Sequence, residues 1–245
     1  MGGSVKSTFM KLLAGLSLLS VPALGVVPAG AATTLTNGTF AGSSANISTL
    51  SYNSGATDIP GWTVTSGSID WLGPSNSFWD VSGTPVAGLN TIDLNGNGPG
   101  AIRSDSFTTV PGATYSVQFY LSGNNGSGGV AWTVDLGASG TAPSLSSIST
   151  TDQAQNGKWE QVGFWFVATS SSTAISFAGD PSNSTASGPV IADVSVTGYA
   201  STGGQCKDGG WGSLTDPVTG QVFMNQGQCV SLFATQGDVP IGSGK

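Results

Sequence analysis

The period of its hydrophobic residues constrains this chain more than any other feature. From Ala113 to Leu121, Tyr115, Val117, Phe119 and Leu121 alternate with Thr114, Ser116, Gln118 and Tyr120. A period of two places one set on each face of a β-strand. Similar short segments recur at 61–66, 68–73, 90–94, 101–109, 130–136, 159–168, 173–177 and 190–197, with Gly, Pro, Ser and Asn between them. Helical spacing of apolar residues is not sustained anywhere after residue 31, so residues 33–198 are expected to form an all-β sandwich. In Val110-Pro111-Gly112-Ala113, Pro presets the first turn position and Gly accepts the positive φ of a type II turn, which predicts a hairpin there. About 165 residues can bury a core without help from a metal or a disulfide.

The N-terminus reads as an export signal. Lys6 and Lys11 precede the apolar run Leu12 to Val27, and Ala29-Gly30-Ala31 supplies a small-residue cleavage site. Removing residues 1–31 from the 245 leaves 214 residues, with four basic against thirteen acidic side chains, a charge of −9. The run is too short for a retained span and no second one follows, so a secreted, extracellular protein without membrane insertion is expected. An oxidising compartment makes Cys206 and Cys229 a disulfide pair. Residues 199–205, rich in Ser, Thr and Gly, read as a linker to a Cys-closed unit at 206–237, with 238–245 as a tail.

Charge and composition exclude several functions. A strongly acidic chain cannot neutralise phosphates, so no nucleic-acid partner is expected. The absence of His removes imidazole-based nucleophile systems and the usual zinc sites. Twelve Asp and one Glu, Glu160, could in principle supply a glycosidase pair, but their spacing singles out no two that would face each other about 5–10 Å apart. The chain is therefore read as non-catalytic.

Several ordered blocks carry a resemblance. They are Leu35 to Phe40 (LTNGTF), Ile59 to Trp71 (IPGWTVTSGSIDW), Thr91 to Gly96 (TIDLNG), Pro99 to Ile102 (PGAI), Phe107 to Tyr115 (FTTVPGATY) and Gly188 to Val196 (GPVIADVSV). Over about residues 35–197 the chain resembles the choice-of-anchor C family, exported bacterial proteins similar to the plant cell-wall domain of unknown function 642. The resemblance implies a galactose-binding-like β-jelly roll, an architecture shared by many carbohydrate-binding modules. It also implies a structural calcium held by Asp193 beside the Asn37 to Phe40 block. The acidic residue usual after that block is Ala41 here, so the site is short of one charge, and no cofactor is required. One residue more than the pattern between Ile102 and Phe107 predicts a β-bulge. The usual C-terminal anchor does not follow the last block.

Sugar recognition needs flat apolar faces and groups that bond hydroxyls. Trp71, Phe78 and Trp79 lie close to Asp70 and Asp80, and either form a stacking platform or cap one end of the core. Trp165 and Tyr120 fall on the polar parity of their strands, which means a second buried layer or a binding platform. The functional expectation is a module that binds extracellular or cell-wall polysaccharide. The alternative is a structural or protein-contact module of the cell envelope or matrix.

Overall fold

The computed structural model describes residues 35–42, 49–74, 85–124, 132–139, 141–142, 148–150, 159–179 and 186–237. The expected signal at 1–31 and the tail at 238–245 lie outside the described residues. The described residues form thirteen strands: β1 (Thr49–Asn53), β2 (Trp62–Ser66), β3 (Ser68–Leu72), β4 (Thr91–Asp93), β5 (Ala101–Ser104), β6 (Phe107–Thr108), β7 (Thr114–Gly123), β8 (Trp132–Ser139), β9 (Thr141–Ala142), β10 (Ile148–Thr150), β11 (Glu160–Ala168), β12 (Ser172–Gly179) and β13 (Pro189–Tyr199). Seven of them make one antiparallel sheet in the order β1-β3-β4-β13-β7-β11-β9. The second sheet runs β10-β8-β12-β5-β2, with β6 added beside β12. The result is the expected all-β sandwich of jelly-roll type.

Alternation dictates the core. Tyr115, Val117, Phe119 and Leu121 of β7 are buried between the sheets with Phe164 and Phe166 of β11, Ile175 and Phe177 of β12, and Ile191, Val194 and Val196 of β13. Phe119 meets Phe177 of the opposite sheet edge to face, with ring centroids 5.0 Å apart. The Pro111-Gly112 turn forms as predicted: Gly112 has φ +79° and the Ala113 N–H donates to the Val110 carbonyl at 3.0 Å. It does not close a hairpin, however, because β6 pairs with β12 while β7 pairs with β11 and β13. The Thr109 hydroxyl bonds the Ser170 carbonyl and the Thr173 hydroxyl. That ties the chain to the second sheet until the turn carries it across to the first.

The bulge expected before Phe107 is present. Three steps of β12, from Thr173 to Ser176, face four steps from Phe107 back to Arg103. A second irregularity falls in β13 between Ala192 and Ser195, where Asp193 has φ +50°. It keeps both Ile191 and Val194 in the core although they are three residues apart.

The C-terminal unit is part of the same body. Residues expected to be a linker instead finish β13 at Tyr199 and form a 3-10 turn at Gly203–Cys206. Cys206 and Cys229 are bonded, with Cα atoms 5.6 Å apart, and are buried with Leu214, Phe223 and Phe233 in the cluster that contains the sandwich core. The sequence reading missed a helix, α1 (Gln226–Gln236). Its signals are at its ends: Asn225 caps it by accepting from the Gln228 N–H at 2.8 Å, and Gly237 follows it with φ +74°. Only Cys229 and Phe233 of the helix are buried, too few apolar positions to register as a stripe. Among the described residues no helix is long and apolar enough to cross a membrane.

Candidate functional site

Facing away from the core, the seven-stranded sheet carries the residues of polar parity, and strand register sets them in rows. One row crosses five strands: Ser122 of β7, Val190 of β13, Asp93 of β4, Asp70 of β3 and Ser51 of β1. At the other end of the same face, Trp165 of β11, Ser116 of β7 and Thr197 of β13 form a row, followed by Val167, Thr114 and Tyr199. Between them, Gln118 pairs with Gly163 and Ser195.

The Asp93 end is closed. Leu72, Val86, Val190 and Ala192 form a small buried cluster on this face, with Leu89, Tyr120 and Trp159 packed against it. Asp93 is only 1% exposed. Its carboxylate accepts from the Asn95 N–H at 2.8 Å and from the Asn124 amide at 2.7 Å. Burial pushes its pKa up to about 7 against these bonds, helped by the negative charge of Asp70. Asp70 is half-buried, its pKa also raised by burial, and it accepts from the Ser51 hydroxyl at 2.5 Å. The two carboxylates sit side by side on adjacent strands with their partners drawn from neighbouring backbone and side chains. Their oxygens join strands and loops, and Asp93 is buried.

The Trp165 end is open. Trp165 is 39% exposed and its ring centroid lies 5.4 Å from that of Tyr199, tilted by 40°. Val167, also exposed, continues the apolar strip, while the half-buried Thr197 and Gln118 border it with a hydroxyl and an amide group; Ser116, in the same row, is buried. Trp165 is thus exposed and not part of a second buried layer. Tyr120 is half-buried in the second apolar layer.

The remaining candidates separate in the same way. Trp71 is a core residue, 4% exposed, with its indole N–H donating to the Phe40 carbonyl at 3.0 Å. This corrects the expectation of a stacking face there: Trp71 lies on the core parity of β3, between Asp70 and Leu72. Trp79, Asp80 and Phe78 lie outside the described residues. Tyr199, which the sequence reading left out, could have been found by extending the alternation of Val194 and Val196 to the end of β13.

The loop expected to hold calcium is closed by protein donors instead. Gly38 does neighbour the bulge, its carbonyl accepting from the Val194 N–H at 2.8 Å. The Asn37 side-chain nitrogen donates to the Ala41 and Pro60 carbonyls, 2.8 Å each, and its oxygen accepts from the Ala41 N–H at 2.6 Å. The Asn37 carbonyl receives the Trp62 indole N–H, and that of Phe40 receives Trp71 and Asn90. A calcium site needs six to eight oxygens turned toward the ion. Here an amide nitrogen stands where two carbonyls converge, and no group of three or more Asp, Glu, His or Cys side chains gathers among the described residues. The residues present do not fit calcium.

Among solved structures the chain is similar to the Stig cyclase Fisc from Fischerella sp. TAU, with 14% identity and a TM-score of 0.48 over 69% of this chain and 97% of that one. It is also similar to family 35 carbohydrate-binding modules. The module from Paenibacillus barcinonensis gives 16% identity and TM-score 0.39 over 60% and 98% of the two chains, and that from Clostridium thermocellum gives 11% and 0.37 over 60% and 90%. In sequence it is 29% identical over 202 residues, 80% of its length, to halomucin from Haloquadratum walsbyi, of which it spans 2%. A family model described as a protein of unknown function matches residues 33–197. That match covers most of the chain and the whole sandwich, and this protein belongs to the DUF642 family.

Proposed function

We propose that this chain is a secreted, non-catalytic module that binds extracellular or cell-wall polysaccharide through the Trp165–Tyr199 strip. The observation that carries the reading is the exposed Trp165 ring beside Tyr199 on a sheet face bordered by Gln118 and Thr197. A flat apolar face matches the C–H side of a pyranose, and the flanking Thr197 hydroxyl and Gln118 amide match its hydroxyl groups. A strip exposed on a sheet face suits the side of a polymer. Lack of catalysis is supported by the roles of Asp70 and Asp93, whose oxygens serve internal hydrogen bonds. The fold is held without calcium. Within its family, the ordered blocks support a place in the choice-of-anchor C group.

Retention of the secreted protein on a panel of plant, fungal and bacterial wall polysaccharides tests this. One polymer class should retain the protein and lose it in Trp165→Ala. Retention that is unchanged in the variant moves the platform elsewhere, and no retention on any polymer removes the reading. A second reading, a protein-contact module of the envelope, is favoured by Val218 and Met224 of the C-terminal unit, which are 60% and 78% exposed. Loss of envelope association in Val218→Ser/Met224→Ser, with polysaccharide retention intact, would select it.

A further inference from the structure

A cleft of about 580 Å³ separates the sandwich from the C-terminal unit, a size within the ~300–1,000 Å³ range of small-molecule sites. One wall is the turn that carries Val110 and Pro111. The other is the segment of Gln205, Lys207 and Asp208 next to the disulfide. Both walls are fixed from within. The Val110 N–H donates to the Tyr115 hydroxyl at 2.8 Å and the Gly112 N–H to the Ala168 carbonyl at 2.7 Å. The Gln205 side-chain oxygen accepts from Ser201 and Thr202, which leaves its amide nitrogen as a donor beside Gly112. Gly210 lies so close to the Gln205 carbonyl that a Cβ there would come within 2.0 Å of the oxygen, so this wall can be built only around glycine.

Lys207 and Asp208 differ from this frame. Both line the cleft and are exposed; the Lys207 backbone bonds Gly204 and Gly210, but neither side chain pairs with the other or with any other described residue. Asp208 has φ +52°, a left-handed conformation that is uncommon for a residue other than glycine and tends to mark functional positions. A preformed cleft thus presents one carboxylate acceptor, one ammonium donor and the Gln205 amide beside the apolar surface of Val110 and Pro111.

We propose that this cleft is a second glycan site that takes a neutral pyranose unit. A ligand bearing a net charge of either sign would meet one favourable and one unfavourable partner. Vicinal hydroxyls of a neutral sugar donate to Asp208 and accept from Lys207 and Gln205 simultaneously, and the C–H face of the ring covers Val110 and Pro111. The site does not depend on the sheet-face reading, since it shares no residue with the Trp165–Tyr199 strip.

The test is a nitrogen-15 NMR titration of the disulfide-bonded secreted chain with soluble neutral oligosaccharides: cellotetraose, mannotetraose, xylotetraose and chitotetraose. At least one should move the amide signals of Val110, Gly112 and Gln205 through Gly210. Its affinity at these signals should fall about tenfold or more in Lys207→Met/Asp208→Asn, in keeping with lost hydrogen bonds to charged groups, and stay unchanged in Trp165→Ala. Both substituted side chains are exposed, and an unaltered melting temperature verifies that the variant folds. The proposal is overturned if none of the four sugars moves these signals, if the double variant binds like the parent, or if only the zwitterionic probe glycylglycine moves them.

Discussion

Asp93 makes the stability of this protein depend on pH in a direction opposite to that of most carboxylates. In the folded chain its pKa is raised from 3.8 to about 7, chiefly by burial. Below about pH 3.8 both folded and unfolded chains hold this proton and the residue is neutral with respect to pH. As pH rises toward 7, the unfolded chain has released the proton while the folded chain retains it. Stability is therefore lost as pH rises, and the loss levels off above the folded pKa. At about 1.36 kcal/mol for each tenfold change in proton affinity, the full difference is about 4 kcal/mol. Asp70 shifts in the same direction and adds to it. The assay is urea unfolding followed by tryptophan fluorescence between pH 4.5 and 8, on the parent and on Asp93→Asn. The substitution removes the titration; any cost in hydrogen bonds to Asn95 and Asn124 displaces the whole curve without tilting it. The parent should lose several kcal/mol across this window and the variant should be much flatter. Parallel slopes for the two proteins would refute the assignment of the pH dependence to Asp93.

Other consequences are accessible to standard measurements. Cys206→Ser/Cys229→Ser opens a loop with 22 residues between its ends, which the chain-entropy model values at about 3 kcal/mol. For a domain of this size, calorimetry should show the melting temperature lower by roughly 6–12 °C; an unchanged value would mean that the C-terminal unit does not contribute to global stability. Because Asn37 occupies the position where loop carbonyls converge, melting in chelator and in millimolar calcium should agree within about 1 °C, whereas a bound ion would raise the melting temperature with its concentration. Asn37→Ala breaks three hydrogen bonds in one step and should cost about 2–4 kcal/mol in urea unfolding. A cost near zero would show that the loop is held by Trp62, Trp71 and Asn90 alone.

The sandwich was legible because alternation acts locally: each of the nine segments read from the sequence contains a strand, and the alternating apolar residues of β7 are all in the core. The bulge before Phe107 was legible for the same reason, since an extra residue must break parity. What the sequence hid depends on contacts between distant segments. Strand β1 lies in a Ser- and Asn-rich stretch and is defined by pairing Leu50 and Tyr52 with Trp71 and Ile69. The Asp93 row exists only once five strands are in register. Trp71 and Trp165 look alike in the sequence, each an aromatic near polar residues, and differ only because one shares parity with Ile69 and the other opposes Phe164 and Phe166. The linker reading of 199–205 took small residues as flexibility, whereas Ala200 is buried and Gln205 binds the turn together.

The central claim is that Trp165 stacks on the sugar. With about 39% of its surface exposed, roughly 100 Å² is available. At about 25 cal/mol per Å² its burial is worth roughly 2.5 kcal/mol, about 70-fold in affinity. Calorimetric titration with a soluble oligosaccharide of the polymer that retains the protein measures this directly. Binding should be about 70-fold weaker in Trp165→Ala, with a smaller loss in Trp165→Phe, which keeps a flat ring. Equal dissociation constants for the parent and Trp165→Ala would contradict it.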